Sequence, residues 1–454
     1  MAKHSLAVIV LAAGQGTRMR SGLPKVLHPV AGLPMLRHVL NAAAVLKPER
    51  NVLVLGRGME AVAKAFAPIS VAVQDPPLGT GHAVQAAMPA LKGFKGDVLV
   101  LYGDTPLLTP ETLKQLVAAR RSKADPAVVV SGFRPADPAA YGRLVQDAKG
   151  NLEAIVEFKD CTPEQRAIGF CNGGMMLLDG ARLPALLKQL DNNNAKGEYY
   201  LTDLVQLARA KGWACRAVEV SEIDVMGVNN RAELSIAEGH MQARLRLTAL
   251  ESGVTMTAPD TVYLRADTKL GRDVTIEPHV VFGPGVEIAD NVTIRAFSHI
   301  EGASVASGAI IGPYARLRPG AEIGAEAHIG NFVEVKQARI EAGAKVNHLT
   351  YIGDARVGAK ANIGAGTITC NYDGYNKHHT DIGANAFVGS NSSLVAPVKI
   401  GDGALIAAGS TITQDVPADA LALGRGRQET KPGLAVRIRA QRAAQKKKSQ
   451  QKSK

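Results

Sequence analysis

The sequence predicts two architectures in one chain, an α/β doubly wound domain followed by a left-handed parallel β-helix of hexapeptide repeats. Three observations carry this. Between residues 7 and 178, short runs apolar on both faces alternate with helical patterns, as in a mostly parallel sheet covered by helices on each side. From Leu270 onward a large apolar residue recurs at every sixth position, a period that neither a helix nor a half-buried strand produces. Gly makes up 46 of the 454 residues while aromatics are 4%, which fits a backbone that turns tightly many times.

In chain order, the strands of the first domain are expected at 7–12, 52–55, 71–74, 98–102, 127–131 and 175–178, and its helices at 36–46, 82–88, 111–121 and 201–210. The domain is expected to span 1–229. Residues 230–250 read as a helical linker, with Leu234, Ala237, Met241, Leu245 and Leu250 near helical spacing. The repeats then fill 251–430. Leu270, Ile276, Phe282, Ile288, Ile294 and Ile300 start the series; Ile311, Leu317, Ile323, Ile329 and Val335 continue it, then Val346 and Ile352, and finally Ile382, Val388, Leu394, Ile400, Ile406 and Ile412. In a solenoid of this kind three six-residue faces make one coil and the aliphatic side chains stack inside. One residue is lost between Ile300 and Ile311, and the segment TCNYDGYNKHHTD at 369–381 leaves the coil. Insertions of that sort project as loops on one face of a solenoid, usually a binding face.

The length suits two or three domains, and 46% apolar with 21% charged residues excludes disorder as the main state. The net charge of +12 is concentrated in 431–454, which holds nine Lys or Arg and no acid. That stretch reads as a basic, disordered tail, and with no aromatic residue among its lysines no nucleic-acid partner is expected. Cys161, Cys171, Cys215 and Cys370 form no CxxC pair, so neither zinc site nor disulfide framework is signalled, and a cytoplasmic location is expected. The start MAKHSLAVIVLAAG imitates a secretory leader, but it runs directly into a Gly-rich turn and is better read as a buried strand. No apolar run reaches the roughly 18 residues a membrane helix needs, so no stable membrane insertion is expected.

The segment LAAGQGTRM at 11–19, followed by Pro24 and Lys25, carries the first chemistry. Small residues after a buried strand let backbone N–H groups wrap a polyphosphate, and Arg18 and Lys25 bring positive charge to it. A bare structural turn would account for Gly14 and Gly16 but not for the two cations. The segment is neither a GxGxxG fingerprint nor a Walker A loop. Asp104 ends the run DVLVLYGD, where ligands bind in open α/β sheets, and suits Mg²⁺; its structural alternative is a helix cap before 107–116. In the repeats, His348 is the sharpest candidate for a general base, because imidazole titrates near neutrality, although His279, His299, His328, His378 and His379 compete with it.

The pattern LxAGxGTRMxxxxPK resembles the sugar-phosphate nucleotidyltransferases, and the solenoid resembles the hexapeptide acyltransferases. Together they resemble the family of bifunctional bacterial enzymes that make UDP-N-acetylglucosamine. GTGHA at 79–83, YGDTPLL at 102–108, NNNAKGEYYLTD at 192–203, GVNNR at 227–231, NFVEVK at 331–336, NHLTYIGD at 347–354 and NIGAGTITCNYDG at 362–374 extend the likeness over most of the chain. It implies a Rossmann-like uridyltransferase domain and a β-helix acetyltransferase domain. Acetyl-CoA would acetylate glucosamine-1-phosphate, and the product would take UMP from UTP, giving UDP-N-acetylglucosamine and pyrophosphate for cell-envelope polysaccharides.

Carried over by motif, Leu11, Ala12, Ala13, Gly14, Arg18 and Lys25 would face the triphosphate, and Gln74, Gly79 and Thr80 the uracil. Tyr102 and Gly103 would line the nucleotide pocket, and Gly142, Glu157 and Asn172 would hold the amino sugar. Asp104 and Asn229 would bind Mg²⁺. In the repeats, Arg318, Lys336 and Lys377 would meet the sugar phosphate, with Tyr351 and Asn362 completing that pocket. His348 would be the base, with Glu334 the next candidate. Ala365, Asn371, Tyr372, Ser390, Ala408 and Arg425 would hold acetyl-CoA. One departure stands out: Gly173 occupies the place of the family's usual Thr after Asn172.

Two other readings are open to such a chain. One is a single-activity nucleotidyltransferase with a structural or regulatory β-helix; His348 and the inserted loop argue against it, since a scaffold needs neither. The other is a binding protein that has lost catalysis, which intact Arg18, Lys25, Asp104, Asn229 and His348 oppose. A homotrimer is expected, because three triangular coils packed in parallel close a ring and leave no open edge.

Overall fold

The structure is a computed structural model that describes residues 5–194 and 196–452. Met1 to His4 of the leader-like start, Ala195 of the NNNAKGEYYLTD segment and the last two residues of the tail lie outside the described residues. The chain divides into two compact units, Met1–Ser252 with Val262–Thr268, and Gly253–Thr261 with Lys269–Lys454.

The first unit is built on a sheet of nine strands: β1 (Leu6–Leu11), β2 (Arg50–Gly56), β3 (Ser70–Gln74), β4 (Asp97–Tyr102), β5 (Val128–Phe133), β6 (Arg143–Gln146), β7 (Leu152–Val156), β8 (Cys171–Asp179) and β9 (Cys215–Glu219). All six expected strands are present. Their order is β9-β5-β8-β4-β1-β2-β3, parallel except for β8, which runs antiparallel to both β4 and β5. Alternate residues of β1 enter different cores: Ala7, Ile9 and Leu11 pack on one face, and Leu6, Val8 and Val10 on the other. That is why the strand reads as an unbroken apolar run. Chain order reverses between β1 and β4, so the crevice beyond Leu11 and Tyr102 is the switch point where open sheets of this kind bind ligands. The hairpin β6–β7 and the strand β9 were not legible, because their apolar residues are few and interleaved with charge.

The helix Arg231–Glu251 is more than a linker. Its N-cap Asn230 accepts from the Glu233 backbone N–H, and Ala237 and Met241 pack with Val30, Ala31, Met35 and Leu107 of the first unit. Gln242 is buried with its amide bonded at both ends to the Leu264 main chain, whereas Leu250, expected on the apolar stripe, is exposed.

In the second unit short parallel strands stack coil on coil. One column carries Ile276, Ile294, Ile311, Ile329, Val346, Ile363, Val388 and Ile406 in register, each essentially buried. Two others carry Ile288, Val305, Ile323, Ile340 and Val357, and Ile300, Leu317, Val335 and Ile352. Val305, Ile340 and Val357 show that the six-residue step shortens to five at three corners, where Gly302, Gln337 and Asp354 adopt positive φ. At the next coil the inward residue is Thr369, not its neighbour Ile368, which is exposed. The Thr369 hydroxyl accepts from Gly353 N–H (2.8 Å) and donates to Gly353 C=O (3.1 Å), so it costs the core nothing unpaired. Residues 369–370 and 380–381 belong to strands, so the excursion from the coil is 371–379, shorter than the sequence suggests. Along one corner the rings of His279, Phe297, Tyr314 and Phe332 stack at 4.9, 4.8 and 5.2 Å between centroids. The basic end, expected to be disordered, is described as the helix Leu434–Lys452; Ala, Arg, Gln and Lys, the best helix formers, dominate it.

A Cβ on Gly389 would lie 2.5 Å from the Ala408 nitrogen of the next coil, whereas one on exposed Gly239, inside a helix, would meet nothing within 4 Å. Gly389→Ala should therefore lower stability by about 1–3 kcal/mol, and Gly239→Ala should raise it by about 0.5–1 kcal/mol. Calorimetric unfolding of the full chain checks both signs.

Candidate active sites

In the first unit, the turn after β1 and the ends of β3 and β4 enclose a cavity of about 310 Å³. Leu11, Ala12, Ala13, Gly14, Lys25, Gln74, Gly79, Thr80, Tyr102 and Asp104 line it, together with Pro77 and Glu198, which sequence reasoning did not select. The Lys25 ammonium stands between two oxygens, 2.5 Å from Asp104 Oδ2 and 3.3 Å from Asn229 Oδ1, and the Arg18 guanidinium donates to the same Asn229 oxygen at 3.1 Å. Four candidates separated by up to 211 positions thus meet at one mouth. Asn229 is fixed from behind, since Glu233 accepts from both its backbone and its amide N–H. The cap of the helix Pro110–Arg120 is Thr109, so Asp104 is not spent as a helix cap.

Gln74 is buried and donates to the Gly79 carbonyl at 2.8 Å, and Gly79 has φ +103°, a conformation costly for any residue with a side chain. The Thr80 hydroxyl accepts from Leu201 N–H, and Tyr199 bonds to Leu78 and Gly81, so the 192–203 segment clamps the 78–81 turn. Gly103 N–H donates to the Leu11 carbonyl, holding β4 against the turn. Beyond Tyr102, Gly142 accepts from Asn172 N–H at 2.8 Å and would touch Val156, the residue before Glu157, if it carried a Cβ. Gly142, Glu157 and Asn172 are thereby brought together. Burial, then the nearby Asp104 and Glu157 charges, hold the Tyr102 phenol well above its ordinary range, so it stays a neutral donor.

In the second unit, the same position of successive coils, two residues after the inward aliphatic, is held by Asn331, His348, Ala365, Ser390 and Ala408. Stacking brings His348 Nδ1 to 2.7 Å from Asn331 Oδ1, and lays the small residues Ala365, Ser390 and Ala408 in a row ending at Arg425, which donates to the Ala408 carbonyl at 2.6 Å. Asn331 was missed. Its signal was the 17-residue offset from His348, one coil of this solenoid. On the adjoining strands Glu334 is in register with Tyr351 and Lys336 follows two residues on, and the Arg318 guanidinium donates to Glu334 at 2.7 Å while its Nε is buried with no partner among the described residues. The Glu334 carboxylate is therefore held in an ion pair with Arg318. Asn371 donates to the Tyr351 hydroxyl at 3.3 Å, and Asn362 pairs with Lys345 in the sheet that also carries His348. The loop folds back on itself: Tyr372 bridges to Lys377, whose ammonium lies 4.4 Å from the Tyr372 ring, so these two residues form one unit. Of the competing histidines, His279 belongs to the ring stack and His378 is paired with Asp373 at 2.7 Å.

Fold and sites define a nucleotidyltransferase joined to a hexapeptide-repeat transferase. The family described as MobA-like NTP transferase domain matches residues 8–194, and the bacterial transferase hexapeptide (six repeats) matches 267–302 and 379–414. The chain is 60% identical over 446 residues to the bifunctional protein GlmU of Paramagnetospirillum magneticum, covering 98% of this chain and 99% of that one. It is 63% identical to that of Rhodospirillum rubrum (96% and 97% covered) and 57% identical to that of a Jannaschia species (96% and 96%). The chain belongs to the GlmU family, and it is a bifunctional enzyme with uridyltransferase and acetyltransferase activities. Among the described residues no helix is long and apolar enough to cross a membrane.

Next to the Glu157 side of the first site lies a further cavity of about 460 Å³ lined by Glu157, Asp160, Asp191 and Asp203. Burial first, then the Asp191, Glu157 and Asp160 charges, push the Asp203 carboxyl up to about 6. An acid whose folded-state pKa exceeds its unfolded value of about 3.9 favours the fold when protonated, and that stability is lost as pH rises through the folded value. Asp203→Asn should therefore raise the melting temperature at pH 7.5 and leave it nearly unmoved at pH 4, as differential scanning calorimetry at the two pH values would register.

Proposed function

We propose that the uridylyl reaction runs at the Arg18–Lys25–Asp104–Asn229 mouth and the acetyl reaction at the His348 column. The observation that carries this reading is the convergence of the four uridylyl candidates on one cavity at the sheet's switch point. In the first unit an oxygen of the N-acetylglucosamine-1-phosphate attacks the α-phosphorus of UTP. A new P–O bond forms, the α–β bridge breaks and pyrophosphate leaves. The attacking oxygen is already ionised, so the step needs charge and alignment rather than a base, and Arg18 and Lys25 supply charge where it accumulates. The Asp104 carboxylate and the Asn229 amide oxygen are a hard donor pair already accommodating a cation, the Lys25 ammonium, and they fit Mg²⁺ with water completing its shell. Bound there, Mg²⁺ would neutralise phosphate oxygens.

In the second unit the amine of glucosamine-1-phosphate attacks the acetyl-CoA thioester. A C–N bond forms, the C–S bond breaks and CoA leaves. With Asn331 accepting from His348 Nδ1–H, Nε2 carries the lone pair that takes the amine proton. Arg318 and Lys336 face the sugar phosphate, Tyr351 and Asn362 the sugar. Ala365, Ser390 and Ala408 leave room for the pantetheine arm, and Arg425, Asn371 and Tyr372 hold the rest of the donor. The enzyme works in the cytoplasm as a homotrimer.

Crossed substitutions test the assignment. His348→Ala should lower acetyl transfer by about 10²- to 10⁴-fold, regain rate as pH rises and free amine becomes plentiful, and leave uridylyl transfer at the parent rate. Asp104→Asn and Lys25→Ala should do the reverse, losing about 10²- to 10³-fold in uridylyl transfer alone. A pH profile of His348→Ala parallel to the parent's, or uridylyl transfer surviving in Asp104→Asn, would overturn the corresponding half.

For the assembly, light scattering of the active enzyme should give three times the chain mass of 47.7 kDa. A monomer mass with full acetyl transfer would exclude the trimer.

A further inference from the structure

Strand β5 reads Val128, Val129, Val130 and then Ser131, a hydroxyl in an otherwise apolar run and completely buried. Opposite it, β8 bulges: Asn172 pairs with Gly132 and Met176 with Val130, so two extra residues of β8 lie between them. The Ser131 hydroxyl fills the gap in the ladder. It accepts from Met175 N–H at 3.1 Å and donates to the Met175 carbonyl at 3.3 Å, bonds that the displaced strand cannot make to β5 main chain. A Cβ on Gly173 would lie 2.7 Å from the Ser131 oxygen, so the hydroxyl and a side chain at 173 exclude each other. Gly173 has ordinary φ, and the requirement for glycine comes from what surrounds it, the hydroxyl at 2.7 Å first and then the Ser131 carbonyl and Val225 Cγ1, each at 3.1 Å. Gly174 is constrained separately, by φ +86° and a Tyr102 ring that its Cβ would approach to 3.1 Å. Gly174 N–H in turn donates to Asn172 Oδ1 at 2.9 Å, which pins the amide oxygen and leaves the NH₂ group as the donor presented to a ligand.

We propose that Ser131 is a positioning residue for the uridylyl reaction: paired with the bare Gly173, its hydroxyl locks the bulge that orients Asn172 toward the sugar phosphate. It touches no ligand and acts through Met175 and Gly174. The proposal rests on the assignment of Asn172 to the amino sugar. It gives the Gly173 departure a physical reason, since in this chain the space beside residue 173 is taken by a hydroxyl from the neighbouring strand.

The test is a set of steady-state measurements on the full-length enzyme with separate assays for the two reactions. Ser131→Ala should raise KM for N-acetylglucosamine-1-phosphate about five- to tenfold, with KM for UTP, kcat and acetyl transfer within twofold. Gly173→Ala should do the same, because the new Cβ displaces the hydroxyl. The double variant should be no worse than either single one, since the Cβ enters the space the hydroxyl has left. If Ser131→Ala is insoluble, Ser131→Cys, with a weaker donor, should shift the same constant in the same direction. Asn172→Ala, run in parallel, separates the failures. If it raises the sugar KM while Ser131→Ala does not, the positioning role alone is overturned. If it leaves that KM unchanged, the assignment of Asn172 falls and the proposal with it. Additive effects in the double variant, or both KM values rising together, would mark general loosening and also overturn it.

Discussion

Main-chain hydrogen bonds between successive coils set the geometry of the second unit, and almost everything chemical there follows from that spacing. Each strand donates to the next coil at a fixed step, so a side chain's position within its repeat decides its neighbours above and below. The aliphatic position builds the core. The position two residues later builds a column on which a histidine, its asparagine partner and three small residues succeed one another. No loop has to be ordered to assemble this row. The imidazole proposed as the base is oriented by a residue one coil away, on an element as rigid as the fold itself.

The first unit solves the placement problem differently. Chain order reverses between its parallel central strands β1 and β4, and the strand ends emerging there carry a Gly-rich turn on one side and a carboxylate on the other. Long-range side-chain bonds finish the work: Asn229 arrives from the far end of the unit and is fixed by Glu233 before it meets Arg18 and Lys25. The 192–203 segment clamps the turn that precedes the helix Thr80–Ala87. Side chains thus do in this unit what backbone periodicity does in the other.

The difference governs how much was legible. Strands buried on both faces and a strict aliphatic period announce themselves, which is why β1, β2, β4, β5 and β8 and the coil stack could be read directly; the edge strand β3, whose Val71 and Val73 are exposed, is legible from its valines alone. Of the five-residue corners, the residue lost between Ile300 and Ile311 marks the one at Val305, whereas those at Ile340 and Val357 escape, because these two residues fall off a period of six. Gln242 was passed over because a polar residue on an apolar helix face shows its purpose only when Leu264 returns beside it. For the sites, motif likeness selected residues that the fold does gather, notably Arg18, Lys25, Asp104 and Asn229. Asn331 and Glu198 escaped it, as only the tertiary arrangement sets Asn331 beside His348 and Glu198 in the cavity wall. Ser131 is the clearest case: one hydroxyl in a valine run means little until the strand opposite is seen to bulge.

The salt link between Lys25 and Asp104 also bears on how an anion gets in. A bare carboxylate at the rim of a phosphate pocket would repel a polyanion just as it neared the turn at Gly14. With its charge masked by the ammonium, and Arg18 beside the pair, the mouth of the cavity offers an approaching anion a field that is positive or neutral. A divalent cation held by the Asp104 carboxylate and the Asn229 oxygen would compete with the Lys25 ammonium for the same two oxygens.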